Sequence, residues 1–317
     1  MTVLIREEQV SRLLPMSQAL VLVEQALVAM GEGRAENRPR QRVRGQGGTL
    51  QVMPAALPDS RYMGFKAYTA FQGGARFYFH LFDSHTGEYL AVIEADRLGQ
   101  IRTGASSGVT TRHLARQDAA RVGIFGSGWQ AESQLEAVCA VRPIQSVRCY
   151  SRNPERREAF SARMSERLAI PVQPVDRPEQ AAEGSDVLIT ITSSSSPVLL
   201  GKWLSPGTHI NAAGSNSAHR RELDQEAVAR SSHIFVDSLE QAAVECGDLI
   251  AAAEAGLFDW SRADELGALL AGRASGRSSP DDITLFESQG IAVEDVAVGS
   301  YVYERARAAG IGEPLPF

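Results

Sequence analysis

Residues 121–138, RVGIFGSGWQAESQLEAV, limit what this chain can fold into more than any other stretch. An apolar run, Val122 to Phe125, is followed by Gly126-Ser127-Gly128-Trp129-Gln130-Ala131, and then by Leu135 and Val138 at helical spacing. The order reads as strand, tight glycine turn, helix. Gly126 permits the sharp turn, and Gly128 lets backbone N–H groups approach a diphosphate. Ala131, at the third small position, lets the helix pack close on its strand. The new helix then points its N-terminal amides at that diphosphate. Glycines also punctuate ordinary loops, so it is the flanking strand and helix that make this a dinucleotide site, with Ser127, Trp129 and Gln130 beside the glycines.

The chain has 317 residues, enough for two domains and a sizeable core. A net charge of −6 argues against nucleic acid as a partner, and the one basic cluster, residues 34–44, is short enough to be a local anion site. No uninterrupted apolar run is long enough to cross a bilayer, and MTVLIREEQV carries acids where a signal peptide would be apolar. Three cysteines without metal-like spacing fit inert thiols in a reducing cytoplasm.

Residues 17–30 carry Leu20, Val23, Leu27 and Met30 on one helical face, stopped by Gly31 and Gly33. A basic, turn-rich stretch follows, residues 34–48. From 49 to 94 the period falls towards two, and LQVMPAAL, MGFKAYTAF, RFYFHLF and EYLAVIE read as strands, with residues 83–87 a hairpin loop. Residues 96–114 read as a helix with Asp96 as its N-cap. The first third is thus an α+β unit.

From Arg121 the rhythm becomes strand–helix. Strands are expected at 122–125, 147–150, 187–192, 210–213 and 234–236, and helices between them at 154–168 and 221–230. That alternation implies a mostly parallel, doubly wound sheet. Residues 272–282 read as a loop, ITLFES as the last strand, and 291–309 as a closing helix that returns to the first domain.

The end of the second strand of a dinucleotide fold reads the adenosine ribose, and an Asp or Glu there selects NAD. Here the chain has Tyr150-Ser151-Arg152-Asn153 and no carboxylate. Ser151 can hydrogen-bond a 2′-phosphate and Arg152 can neutralise it, so NADP(H) is expected, with NAD(H) as the alternative if Arg152 is a solvated surface residue. Thr192 and Ser193, at another strand end, border the cofactor crevice. Lys66 lies in an apolar strand, either as an edge residue reaching to water or as a site residue with an altered pKa. The histidines form no H-x-x-x-H or H-E-x-x-H pair, so a catalytic metal is not expected. No G-x-S-x-G elbow is present.

Seven segments, taken together and in order, resemble the ornithine cyclodeaminase/mu-crystallin family. They are RPR at 38–40, QVMP at 51–54, GFKAY around Lys66, IRTGASSG from Ile101, GSGWQAESQ from Gly126, AAGSNSAHRREL from Ala212 and DDITLFESQGIAVED from Asp281. The resemblance runs nearly end to end. It implies an α/β protein with a Rossmann domain, residues 118–291, and a split α+β domain, residues 1–117 with 292–317, that binds substrate and pairs subunits into a homodimer. It also implies that Arg40, Lys66 and Arg102 converge on a substrate carboxylate and that Thr103 lies near the cofactor diphosphate. A guanidinium can clamp a carboxylate bidentately, and clamping aligns the reacting carbon for hydride transfer.

Two departures bear on the reaction. Cyclodeaminases that resemble this chain have an acidic residue where it has Asn216, and a glutamate where it has Gln51. Neutral amides cannot serve as general bases, and they hold a cationic side-chain amine weakly. They therefore argue against ornithine and cyclodeamination. They leave open the reduction of a small 2-imino acid to the amino acid, or the reverse dehydrogenation, with Asn216 bonding the imine nitrogen or the nicotinamide amide, or else capping the next helix. The expected partners are a 2-imino, 2-oxo or 2-amino acid and a second copy of the chain. The alternatives are an ornithine cyclodeaminase and a cofactor-loaded protein without turnover.

Overall fold

The period-two segments of the first third pair into one sheet because each alternates a core-facing with an outward residue. In the computed structural model, which describes residues 2–316, strand β1 (Val3–Ile5) precedes helices α1 (Glu7–Leu13) and α2 (Met16–Gly31). Strands β2 (Glu36–Asn37), β3 (Gln41–Arg44), β4 (Gly48–Leu57), β5 (Tyr62–Phe71), β6 (Gly74–Asp83) and β7 (Tyr89–Glu94) follow, then helix α3 (Asp96–Leu114). β4 to β7 form an antiparallel meander, and β1 joins it parallel to β7. Met53, Lys66, Phe79 and Ile93 stand opposite one another across four strands and are all buried. Asp96 is the first residue of α3 and not its cap. The carboxylate of Glu7 instead accepts the N–H groups of Asp96 and Arg97, at 2.6 and 2.8 Å, because α1 brings it to the helix start.

The strand–helix rhythm continues with β8 (Arg121–Phe125), α4 (Trp129–Val141), β9 (Ser146–Tyr150), α5 (Pro154–Leu168), β10 (Val172–Pro174), α6 (Pro178–Ala182), β11 (Val187–Thr190) and β12 (His209–Ala212). Then come α7 (Gln225–Arg230), β13 (His233–Val236), α8 (Leu239–Glu245), α9 (Gly247–Glu254), β14 (Ala263–Glu265), α10 (Leu266–Leu270) and β15 (Thr284–Glu287). The strands pair in parallel in the order β10-β9-β8-β11-β12-β15-β13-β14. Alternate residues feed a core on each face: Val122, Ile124, Val187 and Ile189 on one, Phe125, Leu188 and Ile210 on the other. This is the doubly wound α/β sheet expected. The helix expected over 221–230 begins only at Gln225, because Asp224 takes the cap and bonds Ala227 N at 2.9 Å.

Helix α11 (Ala292–Ala308) packs on α2, β4 and β5, and β16 (Glu313–Pro314) pairs with β1. The chain therefore forms two compact units, Met1–Arg102 with Gly290–Phe317, and Thr103–Gln289. The first division falls inside α3, not after residue 117. The later part of that helix is tied into the second unit. Asn211 donates to Thr111 Oγ1 at 2.9 Å, and Arg142 to the carbonyl of Arg112 at 2.7 Å. No single helix among the described residues is long and apolar enough to cross a membrane.

Candidate active site

In the second unit, the glycine turn after β8 takes the form its sequence requires. Gly126 has φ +121°, and a Cβ there would lie 2.3 Å from the Ile191 carbonyl oxygen, so no other residue fits. Beside Gly128 the space is open: a Cβ would meet nothing within 4 Å. Gly128 also caps α4 without a side chain, so no cap side chain takes the first-turn amides, although the Ala131 N–H donates to the Gly128 carbonyl at 3.1 Å. Gln130 Oε1 is buried without a hydrogen-bond partner among the described residues. An uncapped helix start beside open space is the anion cradle that a diphosphate needs, and these residues fit a dinucleotide. Trp129 is half exposed at the same turn, and Ala131 is buried against the sheet.

Ser127 Oγ lies 2.8 Å from Ser151 Oγ, which links the turn to the end of β9. Arg152 is exposed next to it, and Asn153 caps α5. Thr103 is buried, and its carbonyl accepts from Gln134 Nε2 at 3.3 Å. At the ends of β11 and β12 lies the buried Glu222, which sequence patterning does not single out. Its carboxylate accepts from Thr190 Oγ1 (3.1 Å), Thr192 N (2.6 Å) and Gly214 N (2.8 Å), holding the loops that carry Ser193 and Asn216. Burial pushes its pKa up to about 6 against these hydrogen bonds. Asn216 is half-buried in the loop after β12 and does not cap α7.

In the first unit, Arg40, Lys66 and Arg102 come together, each less than a tenth exposed. β5 delivers Lys66, α3 delivers Arg102, and the segment before β3 delivers Arg40. Lys66 Nζ lies 3.1 Å from Asp295 Oδ1 and 5.3 Å from the centre of the Phe77 ring. Arg102 pairs with Glu294 at 2.9 Å and with Asp295 at 3.4 Å. Arg40 donates to Met53 Sδ and to the Gly290 carbonyl, both at 3.3 Å. Burial lowers the Lys66 pKa to about 8. Asp295 opposes that shift, and the Arg102 and Arg40 charges add to it. Gln51 Oε1 accepts from Tyr68 OH at 2.6 Å and from Arg42 Nε at 3.2 Å. Glu294 and Asp295 carry no signal of burial in the sequence, because acidic side chains are ordinarily exposed.

Cys139 and Cys149 are free thiols that burial pushes up to about 12, and Cys246 is buried and shifted the same way. Among the described residues no group of three His, Cys, Asp or Glu side chains is arranged to hold a metal.

Proteins similar to this chain include a reductase and a dehydrogenase of imino and amino acids. A Delta(1)-pyrroline-2-carboxylate reductase of Bacillus cereus is 38% identical over 277 residues, 85% of either chain. The structure of Thermococcus litoralis Delta(1)-pyrroline-2-carboxylate reductase in complex with NADH and L-proline superposes with a TM-score of 0.95 at 35% identity, over 99% of this chain and 100% of that one. An archaeal alanine dehydrogenase dimer with bound NAD gives a TM-score of 0.94 at 33% identity, over 100% of this chain and 99% of that one. The family model for ornithine cyclodeaminase/mu-crystallin proteins matches residues 1–310. With its glycine turn, doubly wound sheet and buried cation cluster, the chain belongs to the ornithine cyclodeaminase/mu-crystallin family.

Proposed function

We propose that this protein is a nicotinamide-dependent reductase of a small 2-imino acid, able to run in reverse as an amino-acid dehydrogenase. The observation that carries the reading is the buried cluster of Arg40, Lys66 and Arg102, with Glu294 and Asp295 behind it. Three buried cations gathered at one place favour an anionic ligand, and a substrate carboxylate suits them. Guanidinium forks fix the orientation of that carboxylate, and thus of the carbon that reacts. Lys66, lowered to about 8, is still protonated at neutral pH and adds to the hold.

Gly126, Ser127, Gly128, Trp129 and Gln130 would bind the cofactor diphosphate, with Thr103, Thr192 and Ser193 nearby. The reduced nicotinamide supplies the hydride when bound. Asn216 would hydrogen-bond the imine nitrogen or the nicotinamide amide. NADP(H) is proposed over NAD(H) on the strength of Ser151 and Arg152 alone, because the two solved relatives carry NADH and NAD.

Gln51 speaks for imine reduction over cyclodeamination. Its oxygen is engaged by Tyr68 and Arg42, and a neutral amide so engaged offers no base to a diamino acid. A cytoplasmic homodimer, paired through the outer face of the β4–β7 sheet, completes the proposal. The test is NADPH oxidation with Δ1-pyrroline-2-carboxylate, and with 2-oxo acids plus ammonia or methylamine. Turnover of any of these supports the reading. Proline and ammonia formed from L-ornithine, with no NADPH oxidation by the imino acids, overturn it.

A further inference from the structure

Helix α11 holds the cation cluster from behind. One atom, Asp295 Oδ1, lies 3.1 Å from Lys66 Nζ and 3.4 Å from Arg102 Nε, so it bridges both cations. Glu294, the preceding residue, takes Arg102 NH1 at 2.9 Å. Both acids are fully buried. Asp295 Oδ2 has no hydrogen-bond partner among the described residues. Burying a carboxylate costs stability that only its ion pairs offset, so this one stands or falls with the two cations it holds.

Two glycines reserve the space those cations occupy. A Cβ at Gly99, on α3, would lie 2.7 Å from Lys66 Nζ. A Cβ at Gly290, where φ is +74°, would lie 2.5 Å from Arg102 NH1. At Gly99 the atom met is the far end of a long side chain, so a methyl group would displace the amine and leave the backbone in place, whereas at Gly290 the positive φ would strain any other residue as well.

We propose that Asp295 is a positioning residue, which pre-assembles Lys66 and Arg102 as a cation pair for the substrate carboxylate in space kept by Gly99 and Gly290. What the pair binds rests on the imino-acid reading above; the arrangement of the pair does not. The groups facing Lys66 are Asp295 and Glu294 from α11, Arg102 from α3, Arg40 from the segment before β3, and the Phe77 ring from β6. Of the two acids, Asp295 alone touches the amine. Burial already lowers the Lys66 pKa, and Asp295 is what raises it again. Without that charge the amine loses its proton near neutral pH, and the site loses a cation.

The chain offers a direct readout, because Lys66 and Lys202 are its only two lysines. Protein labelled with 13C at lysine Cε gives two signals, and Lys202→Arg, at an exposed position, assigns them. In Asp295→Asn the Lys66 titration is expected to move down by about one pH unit or more. The KM for the imino acid at pH 7.5 is expected to rise about tenfold or more. The alkaline fall of kcat/KM shifts to lower pH, and NADPH affinity is unchanged. Gly99→Ala is the second variant: alanine favours the helix, so thermal stability holds or rises while the imino-acid KM increases. An unmoved Lys66 titration in Asp295→Asn overturns the inference, as does Gly99→Ala with wild-type KM. If the wild type reduces no imino acid, the functional reading fails, and the lysine titration still decides whether Asp295 governs the cation.

Discussion

Arg152 stands exposed at the end of β9 beside Ser151, which is itself bonded to Ser127. If it neutralises a 2′-phosphate, Arg152→Ala should raise the KM for NADPH about tenfold, the loss of one charge-assisted hydrogen bond, and leave that for NADH nearly unchanged. Equal changes for both cofactors in steady-state assays would remove the case for NADP(H). The buried acids make a different statement. Burial pushes Asp248 up to about 7, with the nearby Glu222 charge adding, and Glu222 up to about 6. The folded protein thus holds protons that the unfolded chain has released above the ordinary carboxylate range. Stability should fall as pH rises from about 4 to about 7, by roughly 1.4 kcal/mol per pH unit for each group that titrates. His209, pushed down to about 3 by burial, works in the opposite sense between about 3 and 6.5. Asp248→Asn keeps an acceptor for the N–H groups of Glu222 and Leu223 and removes the ionisation. Denaturation midpoints between pH 4.5 and 7.5 should lose much of their downward slope, and an unaltered slope would refute the assignment. None of these acids was legible in the sequence. Gly126 and Gly128 were, because a tight turn demands them. Glu222, Glu294 and Asp295 sit beside other charged residues in the chain, and only the fold reveals that they are buried.

Single elements carried more of their own signal. The amphipathic helices at Met16–Gly31 and Pro154–Leu168 and the long strands β4 to β7 appear where the periodicity put them. The three-residue strands β10 and β14 and the short helices α8 to α10 did not announce themselves. Elements of that length have little intrinsic stability and form because the surrounding sheet pins them. Residues 221–223 show the reverse case, a stretch read as helix that the fold spends elsewhere: the N–H groups of Glu222 and Leu223 bond Asp248, at 2.8 and 2.9 Å. Close contacts between elements can be tested as well. Gly104 in α3 lies so near α4 that a Cβ would come 2.4 Å from the Ser133 carbonyl oxygen, which is backbone and cannot rotate away. Gly104→Ala should therefore force the two helices apart and cost about 1–3 kcal/mol, despite alanine's better helix propensity. A thermal midpoint at or above that of the wild type would show that the contact yields easily.

At the scale of the whole molecule the sequence is least informative. Periodicity placed a strand near 283–288, but nothing in it says that β15, the last strand of its sheet in the chain, lies between β12 and β13. Nor does it say which face of the first sheet stays uncovered. There the structure makes a specific demand. One face of the β4–β7 sheet is covered by α11. On the other, Phe65 stacks on His80 with ring centres 4.4 Å apart, and Phe82 on Tyr89 at 4.6 Å. An open cavity of about 440 Å³ beside them is lined by Pro54, Ala56, Met63, Phe65 and Phe82. An apolar face of this extent marks an interaction surface, and the proposed two-fold partner, presenting the same face, would cover it. In such an isologous interface a charge placed near the axis meets its own copy, so a single substitution acts twice. Phe65→Asp should convert a species of twice the 34.2 kDa chain mass into one of that mass, read by light scattering after gel filtration. The wild type's thermal midpoint should also rise with protein concentration, and the variant's should not. A wild type that elutes at the chain mass at every concentration would mean that this face has another occupant, and that the paired assembly is wrong.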